Sequence, residues 1–272
     1  MELIEKNKSN KNIVFWLDSC IFLICLLIIV GGITRLTNSG LSMVEWKPIV
    51  GIIPPINENQ WNESFENYKA FPEYKNYHSD FLLSDYKKIF YWEYLHRILG
   101  RLIGLFFLIP LLYFKAKKYL TKEQFKRLFS IFLLICIQGV FGWIMVQSGL
   151  VGTGDVSPYK LSIHLSLAML IIGSIYWIKL DYKYNYKIDK HIKEKIINNI
   201  LLILFIQIVL GAITAGFGIG KVFLTSKNIF YDIYSKLPFF IQTLHILLGI
   251  IFTLTVLFLS KRMLKKNDKA FK

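Results

Sequence analysis

The sequence predicts an all-α integral membrane protein with six transmembrane helices, arranged as an antiparallel four-helix bundle plus a partial second repeat. Hydrophobic residues make up 54% of the 272 residues, and the mean hydropathy is +0.45. These residues form long blocks, and a helix of about 20 apolar residues crosses the roughly 30 Å hydrocarbon core of a bilayer. The period-2 alternation typical of membrane barrels is absent from the sequence. The blocks are therefore expected to be helices, which satisfy their own backbone hydrogen bonds in lipid.

Six segments are long and apolar enough to span. They are Ile13–Ile33, Tyr94–Phe114, Phe129–Leu150, Leu161–Leu180, Ile196–Gly216 and Pro238–Ser260. The first continues into Arg35 and is longer than the apolar region of a cleaved signal peptide, so we expect a retained span.

The positive charge is distributed unequally between the two sides of this six-span arrangement. Of the 33 Lys and Arg residues, 21 fall in the N-terminal tail, the connections after spans two and four, and the C-terminal tail. By the positive-inside rule, both termini are expected to be cytoplasmic. The net charge of +15 thus reflects topology and contact with lipid headgroups, and no nucleic-acid partner is expected.

The spans carry an internal repeat. Span one ends in Ile29-Val-Gly-Gly-Ile-Thr34 and span five in Val209-Leu-Gly-Ala-Ile-Thr214, while spans two and six contain Leu95-His-Arg-Ile-Leu-Gly100 and Leu244-His-Ile-Leu-Leu-Gly249. A span that ends in small residues is thus followed by a span that bears a histidine. Repeats of this kind are typical of membrane proteins built from related halves. We predict a first four-span repeat over 1–195 and a partial second repeat over 196–272.

Three of the five histidines lie inside predicted spans: His96, His164 and His245. Ionisable residues within spans are costly and indicate function by default. All three are expected toward the outer end of their helices. Core histidines with unrelated roles need not share one depth, so the common level favours a shared function. His78 and His191 fall in polar connections and are expected to be solvated surface residues.

Paired histidines from facing helices suit axial ligation of haem iron, with Arg97 and Arg101 available for the propionates. A purely structural role for the histidines is the alternative. A zinc site is disfavoured because no cysteine or second histidine lies at ligand spacing. The three cysteines, Cys20, Cys25 and Cys136, are interpreted as small core residues.

Glu93 precedes His96 by three residues, so both lie on one helix face. The spacing leaves two interpretations equally open. Glu93 is either an acid–base group or partner of a haem ligand, or an interfacial charge beside the aromatic residues Tyr91 and Trp92.

The connection over Thr34–Glu93 is long, and its composition suggests a structured cap on the outer surface. Asn57 can cap a short helix that runs through about Ala70, and Ser79 or Asp80 can start the helix that enters span two. Seven aromatic residues support a cap that covers a site at the depth of the histidines: Trp46, Trp61, Phe65, Tyr68, Phe71, Tyr74 and Tyr77.

Several long motifs, in order, resemble the haem A synthase family of the alphaproteobacterial and mitochondrial type. They are Val30-Gly-Gly-Ile-Thr-Arg-Leu-Thr-Asn-Ser-Gly-Leu-Ser-Met-Val-Glu-Trp-Lys-Pro-Ile49, Gly51-Ile-Ile-Pro-Pro55, Phe71-Pro-Glu-Tyr74, Trp92-Glu-Tyr-Leu-His-Arg-Ile-Leu-Gly-Arg101, Gln138-Gly-Val-Phe-Gly-Trp-Ile-Met-Val-Gln-Ser-Gly149 and Val156-Ser-Pro-Tyr-Lys-Leu-Ser-Ile-His164. The match is specific over roughly residues 13–220.

The resemblance implies an enzyme that oxidises the C8 methyl group of haem O to a formyl group, making haem A for cytochrome oxidase. It implies that Glu93 is catalytic, that His96 and His164 flank the substrate haem, and that His245 ligates the iron of a haem b cofactor. It also implies an inner-membrane location, in bacteria or mitochondria. Haem O synthase, cytochrome oxidase assembly factors and a second copy of the chain are candidate partners.

The family pattern has eight spans with a further haem histidine on the last, whereas this sequence carries six predicted spans and resembles a form shortened at the C-terminus. The rival interpretation is a non-catalytic b-type membrane cytochrome that carries electrons. That function would favour histidine pairs at two depths, and the sequence has intramembrane histidines at one. A transporter would explain the repeat but not the level of the histidines.

Overall fold

The computed structural model describes residues 2–45, 52–152 and 154–184, together with positions 206, 209, 211, 249–251, 253, 254 and 257. The described part is helical and contains no strand. Its helices are α1 (Glu2–Leu36), α2 (Glu58–Lys69), α3 (Pro72–Tyr77), α4 (Leu83–Ala116), α5 (Lys122–Leu150) and α6 (Pro158–Tyr184).

Four of these helices are long and apolar enough to cross a membrane. The candidate spans are Asn10–Leu36, Leu83–Ala116, Lys122–Leu150 and Pro158–Tyr182. The first four predicted spans are therefore confirmed as helices, and the protein is a multi-pass membrane protein. The predicted spans five and six, and the proposed boundary after residue 195, lie outside the described residues apart from a few helical positions.

Local capping explains why the helices extend beyond their apolar cores. Thr121 begins α5 with a capping box, in which its hydroxyl accepts from the Gln124 amide (3.2 Å) and the Gln124 side chain accepts from the Thr121 amide (2.9 Å). Pro158 occupies the first turn of α6, where its missing N–H costs nothing. Hydropathy locates the apolar centre of each helix, whereas Thr121 and Gln124 fix the start of α5 and Pro158 fixes the start of α6.

The transmembrane helices contact one another in a cyclic order: α1 packs against α4 and α6, and α5 packs against α6 and α4. Their buried apolar core includes Trp16 and Leu17 on α1, Phe107 on α4 and Ile172 on α6. The Trp16 indole N–H also donates to the backbone oxygen of Phe106 (3.1 Å). This core lies toward the N-terminus of α1 and the C-terminus of α4, the end predicted to be cytoplasmic.

Two ion pairs connect helices near that same end. Lys179 of α6 pairs with Asp18 of α1 (2.5 Å), and Arg127 of α5 pairs with Asp181 of α6 (2.9 Å). These pairs satisfy charges that would otherwise be costly at the membrane.

The long connection between α1 and α4 forms a cap that packs on the N-terminal part of α4. Asn57 is the N-cap of α2, and its side chain accepts from the Gln60 amide (2.9 Å), which confirms the predicted helix. Trp61, Phe65 and Tyr68 of α2 are buried and pack against aromatic residues of α4. Of the predicted cap aromatics, Trp46 lies outside the described residues.

The predicted start of the helix into span two was wrong. That helix begins at Leu83 rather than at Ser79 or Asp80, because the chain after α3 first closes a turn in which the Phe81 amide donates to the His78 oxygen (2.9 Å). Leu82 is then the extended N-cap residue, and the Asp85 carboxylate accepts from its amide (3.4 Å). The short helix α3, with Pro72 at its first position, was not predicted.

Candidate functional site

Glu93 is buried in the N-terminal part of α4, with 2% of its surface exposed. One carboxylate oxygen accepts hydrogen bonds from the Ser42 hydroxyl and the Met43 amide, both at 2.8 Å. Its neighbours Tyr91 and Trp92 are 49% and 37% exposed. The Glu93 carboxylate is therefore buried and hydrogen-bonded inside the protein, whereas its aromatic neighbours are exposed, and both interpretations of its role stay predictions.

The other oxygen of Glu93 accepts from Arg97, one turn along α4, at 2.5 Å. The same Nη2 atom of Arg97 donates to the Met43 backbone oxygen (3.0 Å). Because a guanidinium presents five N–H donors in a fixed plane, these bonds fix its orientation. The carboxylate thus receives donors from α4 and from the segment after α1, and links the two.

The segment that follows α1 is held over this pair from a second direction. Leu41 is 2% exposed and packs so closely on Gly149 of α5 that a Cβ there would lie 2.6 Å from a Leu41 methyl group. Asn38 turns the chain with a φ of 48°, a left-handed conformation that Asn adopts more readily than most residues. Residues 37–43 therefore form a fixed roof that joins α1, α4 and α5.

His96 lies on α4, one helical turn beyond Glu93, and its ring is directed at α1. A Cβ built on Gly31 would lie 2.9 Å from His96 Nε2 and 3.3 Å from Cδ2. The imidazole thus occupies the space that a side chain at position 31 would fill.

His164 lies on α6 and has the same relation to α5. A Cβ on Gly142 would lie 3.0 Å from His164 Cε1. The Gln138 side-chain amide, one turn earlier on α5, donates to the His164 backbone oxygen (3.0 Å) and lies 3.4 Å from His164 Nε2. If the Gln138 amide also donates to Nε2, the ring is neutral with its proton on Nδ1, and the Nε2 lone pair accepts this hydrogen bond.

The two histidines lie at one level, just beyond the apolar core. The buried core begins at Ile103 on α4 and at Met169 on α6, seven and five residues after His96 and His164. Both residues are only half-buried. The structure therefore places the two predicted ligands at similar levels of α4 and α6.

These features fit a haem between the helices. A histidine ligand of haem iron is neutral and offers the lone pair of one ring nitrogen, so Nε2 of His164 would have to exchange the Gln138 amide for the iron. Within the described residues, His164 Nδ1 and Gln138 Oε1 are buried polar atoms without a hydrogen-bond partner. One of these atoms belongs to the ring that would bind the iron, and the other belongs to the neighbouring Gln138. Buried polar atoms without partners indicate that a ligand completes the site.

The other predicted site residues have different outcomes. Arg101 lies on α4, one turn beyond Arg97. His245 and His191 lie outside the described residues. Cys20 is buried and Cys25 half-buried, but Cys136 is exposed on α5, so its interpretation as a core residue was wrong.

The cap contains a buried polar cluster that sequence reasoning missed. The Tyr68 hydroxyl lies 2.9 Å from Glu73 Oε2 and 2.6 Å from His78 Nδ1. Glu73 is 4% and His78 5% exposed, so the expectation that His78 is a solvated surface residue was wrong. His78 is buried because its ring stacks on Phe81 (4.0 Å between centroids). The polar residues next to His78 in the sequence gave no sign that it is buried. The start of α3 could have been predicted, because proline is common at the first position of a helix and Pro72 follows Phe71.

Burial shifts the acid–base properties of this cluster. It raises the pKa of the Glu73 carboxyl to about 8, with the hydrogen bond from Tyr68 acting in the opposite direction and the carboxylates of Glu93 and Asp155 adding to the rise. Burial also lowers the pKa of His78, against an opposing effect of Asp80. Because the Tyr68 hydroxyl has one proton, it donates to Glu73 when that carboxyl is charged and to His78 when Glu73 is protonated.

Comparison with known proteins places the chain in one family. The family model COX15-CtaA, described as cytochrome oxidase assembly protein, matches residues 14–272. A protein named heme A synthase from Flavobacterium psychrophilum is 44% identical over 218 residues, which cover 79% of this chain and 64% of the relative. Its counterpart from Pelagibacter ubique is 45% identical over 219 residues, covering 80% and 65%. The protein of that name from Bradyrhizobium diazoefficiens is 43% identical over 216 residues, covering 79% and 60%.

The matched region thus spans about 60–65% of the length of these curated relatives. No solved structure matches the chain. The family model covers most of the chain, including all four described transmembrane helices from residue 14 onward. The chain therefore belongs to the COX15-CtaA family of cytochrome oxidase assembly proteins.

Proposed function

We propose that this protein is a haem A synthase, which oxidises the C8 methyl group of haem O to a formyl group. The observation that carries the proposal is the arrangement of two half-buried histidines from α4 and α6, just beyond the apolar core and beside the buried Glu93–Arg97 pair. The relatives named heme A synthase are 43–45% identical to this chain over aligned segments of 216–219 residues.

The first four spans would then form an antiparallel four-helix bundle that binds haem O as substrate. His96 and His164 hold the substrate iron from two helices, and the Gln138 amide favours the tautomer of His164 that can do so. Arg101 and Arg97 hold the propionates. Arg97 is already oriented by Glu93 and Met43, which use one of its nitrogens and leave the guanidinium plane fixed.

Glu93 is the catalytic carboxylate in this proposal. Its charge is held by one hydroxyl, one amide and one guanidinium, so it lies in a fixed position near His96 without contact with bulk water. A carboxylate in such a position can accept a proton or stabilise positive charge that develops at the carbon under oxidation. The roof over residues 37–43 and the cap would exclude water from the site.

A haem b cofactor, ligated by His245 in the second repeat over 196–272, would supply electron-transfer chemistry when bound. We place the protein in the inner membrane of a bacterium or mitochondrion, with both termini on the cytoplasmic or matrix side. Haem O synthase, cytochrome oxidase assembly factors and a second copy of the chain are the proposed partners.

The test is the identity of the haem that the protein makes. Membranes of a host that supplies haem O but lacks its own haem A synthase are prepared with and without this chain, and their haems are extracted and separated. Haem A is expected only with the chain present, and it should disappear with His96→Ala or His164→Ala. Haem b alone, in a stoichiometric and redox-active complex, would instead identify an electron-carrying cytochrome.

A further inference from the structure

Two glycines on neighbouring spans leave space that is occupied by the proposed ligand rings. The atoms that a Cβ would meet at Gly31 all belong to His96, and those at Gly142 all belong to His164. The three atoms nearest each built Cβ are side-chain atoms of the histidine, whereas glycines that serve close helix packing let two helix backbones approach each other.

The glycines occupy equivalent positions in the internal repeat. Gln138 precedes Gly142 by four residues, as Gln207 precedes Gly211, and Gly211 in turn aligns with Gly31 in the runs Val209-Leu-Gly-Ala-Ile-Thr214 and Ile29-Val-Gly-Gly-Ile-Thr34. In both described pairs the glycine lies on the span that precedes the histidine-bearing span. The same contact thus arises twice, between α1 and α4 and between α5 and α6.

Other glycines in the same helices lack this relation. A Cβ at Gly32, next to Gly31, or at Gly139, one turn before Gly142, would meet nothing within 4 Å. The contact with a histidine ring is therefore a property of single positions, not of glycine-rich helices in general.

We infer that Gly31 and Gly142 are positioning residues, which set the depth and orientation of the His96 and His164 imidazoles for haem. This inference rests on the proposed function of that site. A methyl group at 31 or 142 would lie about 3 Å from ring atoms, closer than carbon and nitrogen atoms normally approach, so the ring must move. Since the ring is the end of a side chain, we expect it to be displaced while the helices remain folded.

The experiment compares Gly31→Ala and Gly142→Ala with the matched controls Gly32→Ala and Gly139→Ala. Each is made in the full chain carrying His245→Ala, so that the histidine of the sixth predicted span does not contribute. Purified protein is titrated with ferric protoporphyrin IX, and the low-spin fraction is measured by electron paramagnetic resonance. We expect weaker binding by about tenfold or more for the two test variants, the usual cost of misplacing a metal ligand, and a shift toward high-spin haem. The controls should match the parent.

A second measurement needs no haem. Diethyl pyrocarbonate modifies accessible imidazoles, and mass spectrometry reports the rate at each histidine. Gly31→Ala should accelerate modification of His96 but not of His164, and Gly142→Ala should do the reverse. This crossed pattern identifies a local displacement, because general unfolding would expose both rings together.

Equal behaviour of test and control variants in both measurements would overturn the inference while leaving haem binding by the histidines intact. A variant with both His96→Ala and His164→Ala that still binds haem as the parent does would overturn the proposed function itself. The two failures are therefore distinguishable.

Discussion

Glu93 connects the proposed chemistry with the local fold, because the same carboxylate that lies beside His96 also holds the segment after α1. Its three donors come from Ser42, Met43 and Arg97. These three donors satisfy the buried carboxylate within the protein. A substitution that removes the carboxylate therefore alters both the charge and the roof.

Glu93→Gln is expected to abolish most haem A formation while haem O remains bound. The amide removes the negative charge and keeps only one acceptor oxygen, so its NH2 group must face either Arg97 or the Ser42 and Met43 donors. If Glu93 handles a proton, the rate should fall by roughly 10²–10⁴-fold. The measurement is the ratio of haem O, hydroxylated haem and haem A extracted from membranes that contain each variant.

Ser42→Ala is the matched control, since it removes one hydrogen bond from Glu93 and leaves the charge in place. It should loosen the roof modestly, at the roughly 0.5–1.5 kcal/mol typical of one hydrogen bond, and retain most haem A formation. Comparable losses in Ser42→Ala and Glu93→Gln would assign Glu93 a structural role alone.

The cap over α2 and α3 has a pH dependence that its buried cluster predicts. The pKa of Glu73 is raised from 4.5 to about 8 in the folded cap. The folded state thus binds this proton more tightly than the open state, so its contribution to stability is complete below about pH 4.5 and is lost as the pH rises to 8. The lowered pKa of His78 acts in the opposite direction, but only below its ordinary value of 6.5.

We therefore expect the cap to open more readily as the pH rises from 6.5 to 8. The protection factors of amides in α2 and α3, measured by hydrogen exchange and corrected for intrinsic rates, should fall by up to about tenfold per pH unit. Glu73→Gln removes the titrating group, and its protection should be independent of pH in this window. A parallel decline in Glu73→Gln would show that another group controls the cap.

The elements were predicted from sequence where the signal is local. Apolar length located the first four spans, and the capping preference of Asn57 located α2. The start of α4 was misplaced because the turn that closes between His78 and Phe81 depends on burial of the His78 ring. Contacts between distant residues have no local signal.

In the candidate site, the ionisable residues could be predicted from the sequence, but the small residues that contact them could not. His96, His164 and Glu93 stand out in the sequence because ionisable side chains are rare in spans. Their partners Gly31, Gly142 and Ser42 are small residues whose role depends on which helix faces them. Only the packing of α1 on α4 and of α5 on α6 reveals it.

At the scale of the whole molecule, the basic asymmetry predicts which end of the helices faces outward. The apolar core and its ion pairs lie toward the N-terminus of α1, and the histidines, roof and cap lie toward the other end. The 21 basic residues assigned to one side predict that the first end faces the cytoplasm. Haem chemistry would then occur in the outer half of the bilayer.

Single cysteines at exposed positions test this orientation, in a chain whose three native cysteines are replaced. Glu63→Cys and Tyr159→Cys should react with a membrane-impermeant maleimide in intact spheroplasts, because the cap and the start of α6 are predicted to face outward. Lys117→Cys and Glu123→Cys, which flank the turn between α4 and α5, should react only after the membrane is permeabilised. All four positions are exposed, so differences in labelling report the side of the membrane and not burial.

The opposite pattern would place the proposed haem site in the cytoplasmic leaflet and the basic connections outside. Lys and Arg next to spans are retained on the cytoplasmic side during insertion, and the turn between α4 and α5 together with the adjoining helix ends carries six of them. If charge sets the orientation, replacing these six residues with Gln should let a fraction of the chains insert the other way round. Position 117 is one of the six, so Lys117→Cys cannot be used to measure labelling in this background. Glu123→Cys is the position to measure in that background, and its labelling in intact spheroplasts should rise.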